Sequence, residues 1–248
     1  MRTVEIVFSP TGGTERVARI ISRRWGREVE TIDLSNPQMD FAKCEITPED
    51  HVLVAMPSFG GRAPAVAVER LKRLRGSGAK CTLVCVYGNR AYEDTLVEME
   101  DAARESGFEV IAAIAAVAEH SIARQYASGR PDQSDEEQLA GFADQIAKKE
   151  ASTPNLPGSR PYKKAGGGGM VPKAGGDCVR CGLCAKGCPV QAIDPHTLAA
   201  DGKKCISCMR CVKLCPHGAR KLNGAMVSVV ALALKKVCSA RKENELFL

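Results

Sequence analysis

Cys178-Val179-Arg180-Cys181-Gly182-Leu183-Cys184-Ala185-Lys186-Gly187-Cys188-Pro189 and Cys205-Ile206-Ser207-Cys208-Met209-Arg210-Cys211-Val212-Lys213-Leu214-Cys215-Pro216 are two copies of one spacing. Together they hold eight of the chain's twelve cysteines. A tight C-x-x-C-x-x-C loop wraps three thiolates around one corner of an iron–sulfur cube, and the fourth Cys of each run lies too far along to finish it. The fourth Cys therefore serves the other cube, and the runs interlock. The expected ligand sets are Cys178, Cys181, Cys184 and Cys215 for one [4Fe–4S] cluster, and Cys205, Cys208, Cys211 and Cys188 for a second.

Other uses of these cysteines fit less well. Zinc ribbons want two separated C-x-x-C pairs per ion. The N-terminus enters an apolar alternation at Val4 with no secretory h-region, so a reducing, cytoplasmic setting is expected and disulfides are not. Cys44, Cys81, Cys85 and Cys238 match no motif and read as structural. The spacing resembles that of the bacterial two-cluster ferredoxins.

At 248 residues the chain has room for a further domain. Residues 1–150 alternate strand and helix patterns. Strands are expected at Val4–Phe8, Val29–Leu34, Val52–Met56, Cys81–Tyr87 and Val110–Val117. Helices start near Thr14, Pro64 and Leu96, and after a capping box of Ser134 and Glu137. Five strands alternating with helices imply a parallel sheet covered on both faces. Ligands of such sheets bind beyond the C-terminal strand ends.

The loop after the first strand, Ser9-Pro10-Thr11-Gly12-Gly13-Thr14, offers hydroxyls and bare N–H groups in front of a helix, which makes an anion nest. It lacks a Walker lysine and is not G-x-G-x-x-G. A plain tight turn with a Thr N-cap is the other reading of that loop. The arrangement resembles flavodoxin, which implies the strand order 2-1-3-4-5 and FMN as the ligand. That resemblance places Pro57-Ser58-Phe59-Gly60-Gly61 and Tyr87-Gly88-Asn89-Arg90-Ala91-Tyr92 at the two flavin-ring loops, with Phe59 and Tyr92 flanking the ring. Core packing is the plainer use of either aromatic. His120 follows the fifth strand and reads either as a flavin-pocket residue or as a surface cap.

The combined order resembles the flavodoxin–ferredoxin fusions of anaerobes. Gly60 to Pro64, Tyr87 to Tyr92, Glu119-His120-Ser121, Gly129-Arg130-Pro131 and both cysteine runs carry that resemblance. It implies an α/β flavodoxin-like domain over 1–150 and a Pro/Gly-rich linker over 151–176. A small α+β two-cluster domain over 177–223 and a C-terminal helix and tail over 224–248 complete it. The linker reads as solvated, with docking of Tyr162-Lys163-Lys164 on the flavodoxin-like half as the other reading. The helix, with Met226, Val229, Val230, Ala233 and Val237 on one side, is expected to cover the clusters or brace the domains.

Residues 151–248 carry 16 Lys and Arg against 5 Asp and Glu, and residues 1–150 carry 19 against 24, which leaves +11 and −5. The halves attract, and an acidic redox protein is steered to the cluster end. No nucleic-acid motif accompanies the charge. The longest apolar run, Ala225–Leu234, is about half a membrane span. The expected function is an electron relay between two [4Fe–4S] clusters and FMN. The alternatives are an FMN-dependent reductase fed by its own cluster domain, and a redox-sensing module with an empty flavin site. Neither a substrate, the identity of the redox partner nor a homodimeric state is legible.

Overall fold

The computed structural model describes residues 2–26, 28–149, 152–166 and 168–248. Its first unit runs β1 (Thr3–Val7), α1 (Gly13–Trp25), β2 (Val29–Asp33), β3 (His51–Pro57), α2 (Ala65–Leu71), β4 (Lys80–Tyr87), α3 (Thr95–Glu105), β5 (Glu109–Val117) and α4 (Gln133–Lys148). These five strands are parallel and stand in the order β2-β1-β3-β4-β5. This is the flavodoxin-like doubly wound order, with the switch point between β1 and β3. β3, β4 and β5 are largely apolar on both sides because helices cover both faces, whereas β1 turns buried Thr3 and Glu5 toward α1. Val17, Ile21, Leu139, Ala143 and Ile146 of α1 and α4 close one face, packing on Leu53, Val84 and Ile114. Ala67, Leu71, Leu96 and Met99 of α2 and α3 close the other, over Ile6, Val54 and Leu83.

The cluster unit is small. It contains β6 (Lys173–Ala174), α5 (Leu183–Lys186), α6 (Arg210–Lys213) and β7 (Arg220–Lys221), with β6 and β7 paired antiparallel. After it, α7 (Gly224–Cys238) leads to β8 (Glu245–Phe247), which returns to the first unit. β8 pairs antiparallel with β5 and makes the sheet six-stranded. Three residues are too short a run to read as a strand in sequence, yet they cover an edge that would otherwise be open.

Three local expectations change. The box that opens α4 is made by Asp132 and Asp135, not Ser134 and Glu137. Asp135 takes this place because its buried carboxylate also accepts from Arg130 and Asn244. The linker is docked rather than solvated. Arg160 donates to Asp101 at 2.7 Å and to Glu100 at 2.9 Å, Tyr162 donates to Asp101, and Arg62 lies 4.6 Å over the Tyr162 ring. The inward side of α7 is Val227, Val230, Ala231, Leu234 and Cys238, whereas Met226, Val229 and Val237 are exposed.

Candidate functional site

The eight motif cysteines divide between two small cavities. Cys178, Cys181, Cys184 and Cys215 line one, and Cys188, Cys205, Cys208 and Cys211 line the other. These are the interlocked sets that the spacing predicts. Left-handed turns at Arg180, Gly182, Ser207 and Met209 curl each tight loop around its cavity. The thiols surround a volume rather than meeting at a point. Among the described residues no three His, Cys, Asp or Glu side chains converge as a single-ion site. A tetrahedral zinc, with Zn–S near 2.3 Å, needs that convergence, and a cubane does not.

The two cages differ in access. The first, here the outer cage, carries exposed Cys181 and the exposed apolar Val179 and Leu183. Against the rise that burial imposes, N–H groups of Arg220, Ala219 and His217 hold the Cys215 thiol below its ordinary value. The second, inner cage is dry. Burial pushes Cys208 up to about 11 and Cys211 up to about 12. Iron binding there must release these protons.

A third and larger cavity, about 300 Å³, lies beyond the C-terminal ends of β1, β3, β4 and β5, between the two units. The α/β unit contributes Thr11, Gly13, Thr14, Pro57, Ser58, Phe59, Gly60, Tyr87 and Gly88 from the expected loops. In front of α1, the Glu15 N–H donates to Ser9 Oγ at 2.9 Å and the Arg16 N–H to Gly12 O at 3.0 Å. The N–H groups of residues 11–14 precede the helical ladder and stay free for an anion. Gly12 holds a φ of 94° as the N-cap. The left-handed Gly60 is also overlain by the backbone of Gly166, so a side chain fits there on neither count. At Gly88 a Cβ would stand 2.7 Å from the His120 ring.

Five expected residues do not line the cavity: Gly12 is the N-cap of α1, and four others turn to further contacts. The Ser9 hydroxyl is taken up inside the turn, and its N–H donates to Ser35 Oγ at 3.1 Å. Gly61 packs on Glu93. Asn89 Nδ2 donates to the carbonyls of Cys238 and Ala240, at 2.7 and 2.8 Å, and so grips the tail. Tyr92 meets the Tyr87 ring edge-on at 5.2 Å, and its hydroxyl donates to Glu245 at 3.1 Å. It packs on the tail and does not line the cavity.

His120 does line the cavity. Its Nδ1 accepts from the N–H groups of Ile122 and Ala123, at 3.2 and 3.1 Å. The ring proton therefore sits on Nε2, and burial pushes the pKa down, so the imidazole is neutral. Sequence reading missed the far wall of the cavity: Met170, Ile206, Ser207, Cys208, Val230 and Leu234. No local signal marks them, because they reach the site only through docking of the cluster unit. Arg70 donates to Pro189 O at 2.6 Å, Arg210 to Ser9 O at 3.3 Å, and Tyr126 to Ala231 O at 2.6 Å, which holds that docking.

The model of the 4Fe-4S dicluster domain matches residues 177–219. That match identifies a 4Fe-4S dicluster segment, which with the flavodoxin-like unit supports an electron-transfer redox protein. No curated protein matches. The α/β unit is similar to the flavodoxin of Streptococcus pneumonia TIGR4, at 19% identity over 59% of this chain and 96% of that one, with a TM-score of 0.39. It is also similar to the two-electron reduced flavodoxin of Megasphaera elsdenii, at 20% identity over 60% and 100%, with a TM-score of 0.37. An archaeal flavodoxin is 15% identical over 60% and 97%, with a TM-score of 0.40. The strand order carries the fold assignment, and the chain is a flavodoxin-like α/β unit followed by a 4Fe-4S dicluster unit.

Proposed function

We propose that this chain relays electrons between two [4Fe–4S] clusters and FMN, in the order outer cage, inner cage, flavin cavity. One observation carries the reading: Cys208 and Ile206 belong at once to the wall of the inner cage and to the wall of the 300 Å³ cavity. A motif cysteine thus borders the cavity that this reading assigns to the flavin. When bound, the iron–sulfur groups supply one-electron chemistry and the flavin one- or two-electron chemistry.

The chain's own residues bind, orient and exclude water. The hydroxyls of Thr11 and Thr14 and the free N–H groups of residues 11–14 suit a phosphate, with the α1 dipole behind them. Phe59 and Tyr87 offer aromatic faces, and Gly60 and Gly88 let the backbone come close. Val230 and Leu234 of α7 shut out water on the side facing the cluster unit. His120 Nε2–H is a fixed donor at the wall. Cys181, the exposed thiol of the eight, marks the outer cage as the port for a partner protein.

Anaerobic stopped-flow tests the order. Reducing the clusters rapidly should bleach the flavin at a rate independent of protein concentration. A rate that scales with concentration means that the transfer is between molecules, and the relay reading falls. Turnover of a small organic substrate at the same cavity would instead favour a reductase.

A further inference from the structure

Five buried side-chain polar atoms have no hydrogen-bond partner among the described residues: Thr3 Oγ1, His51 Nε2, Thr82 Oγ1, Ser207 Oγ and Arg220 Nε. Three belong to the α/β unit. The other two lie beside the cages, a neutral hydroxyl in the inner loop and a charged guanidinium at the outer cavity. Arg220 is 2% exposed and ranks among the largest fully buried side chains. Its Nη1 donates to Pro172 O at 2.8 Å, and its Nη2 donates to Leu198 O at 2.6 Å and to Cys184 Sγ at 3.6 Å. None of these partners is a carboxylate. Arg220 lines the outer cage and not the inner one.

Arg210, which lines the inner cage, makes the contrast. Its Nε donates to Gly187 O at 3.0 Å, and its Nη2 stands 3.7 Å from Asp33. Its charge is answered by a carboxylate and spread toward the α/β unit. A buried guanidinium with no counter-charge is too costly to keep unless something anionic sits beside it. Four thiolates around an iron–sulfur core form such an anion, and the free Nε–H is a donor still lacking an acceptor.

Resting on the dicluster reading above, we infer that Arg220 sets the order of the two cluster potentials and makes the outer cluster the more easily reduced. Adding an electron makes a cluster one charge more negative, and a fixed positive charge with N–H donors favours that state. Solvent at Cys181 works in the same direction. When the pair holds one electron, it rests at the outer site: the outer cluster is reduced by the electron the inner one has lost. Arg220 also lies near Cys211 of the inner set, so the inner potential feels its charge too, while its side chain lines the outer cage and its Nη2 donates to Cys184 there. Arg220 is a positioning residue for the electron, poised at the port where a partner protein would collect it.

The test is an EPR-monitored redox titration of the holoprotein, prepared anaerobically, as wild type, Arg220→Gln and Arg220→Lys. Cys181→Ser, which perturbs one ligand of the outer cluster, assigns the two signals. In the wild type the outer signal should appear first as the potential is lowered. Arg220→Gln keeps donors for the carbonyls but removes the charge. It should lower the ratio of reduced outer to reduced inner cluster at least tenfold, about 59 mV for one electron. Arg220→Lys should restore most of it. Prior reduction of the inner cluster in the wild type overturns the proposal without any variant. An unchanged ratio in an iron-replete Arg220→Gln protein also overturns it, as does a larger shift at the inner site. Iron and sulfide well below about eight each in the wild type would instead remove the dicluster reading on which the proposal stands.

Discussion

The α/β unit and the cluster unit are held together by different physics. The first buries two apolar layers, one on each face of its sheet, with Ile6, Leu53, Val54, Leu83 and Ile114 fully inside. The second has a buried cluster of Cys184, Cys188, Ala192, Ile193 and Leu198, of which two are motif cysteines. Its strands are two residues long and its two short helices, α5 and α6, four. Units of that size rarely fold on apolar burial alone. In one half the cofactor is a guest in a finished fold; in the other it replaces the core.

The largest test of that contrast is iron removal. Chelation should abolish amide protection across residues 177–221 and leave β1, β3 and β4 protected, as read by hydrogen exchange. Protection persisting in the apo cluster unit would erase the distinction. Next in size, Cys188→Ala should cost the cluster of the inner cage and Cys215→Ala that of the outer one, each distant from its own motif. EPR of each variant checks this, and loss of the local cluster in both would mean that the runs do not interlock.

The α/β half has its own weakness, in acid. His51 stacks on Trp25, with centroids 3.9 Å apart, and burial pushes its pKa down to about 4. The native ring refuses a proton that the unfolded chain accepts below about pH 6.5. Stability should therefore fall as pH drops from about 6.5 to 4, by roughly 3 kcal/mol. His51→Phe should flatten that slope in denaturant titrations; an unchanged slope would place the loss elsewhere. Thr11→Ala should weaken FMN by about 2 kcal/mol while riboflavin binding stays the same, if the loop holds a phosphate. Equal loss for both ligands would displace the phosphate from that loop. The smallest effect belongs to the strap. Asp101→Asn breaks a half-exposed pair with Arg160 and should cost about 0.5 kcal/mol. Hydrogen exchange should rise over residues 159–163 alone.

What was legible in the sequence follows the same divide. The cysteine spacing makes the grouping legible because each tight loop gathers three thiols locally and the grouping is crossed only at Cys188 and Cys215. The parallel sheet is written in apolar runs, and the strand order comes through resemblance. Residues whose partners lie far along the chain carried no such signal. Asn89 and Tyr92 sit in a loop that reads as a flavin contact, but their partners are Cys238, Ala240 and Glu245. Arg160 and Tyr162 look like linker residues until α3 is seen beneath them. The side of α7 was misjudged because the helix is apolar nearly all round. Exposed Val229, at 69%, and buried Ala231 read alike in sequence.

The return of β8 to β5 bears on how the chain is made. About 130 residues separate Val117 from Glu245, including both cysteine runs. A ribosome adds roughly 5–20 residues per second, so β5 has its own strand neighbour β4 long before β8 arrives. For on the order of ten seconds the nascent sheet carries a bare hydrogen-bonding edge. During that interval both cysteine runs emerge. The chain's final strand thus couples two biosynthetic schedules: the sheet of the first unit is sealed only after the segment that carries the metal has been released.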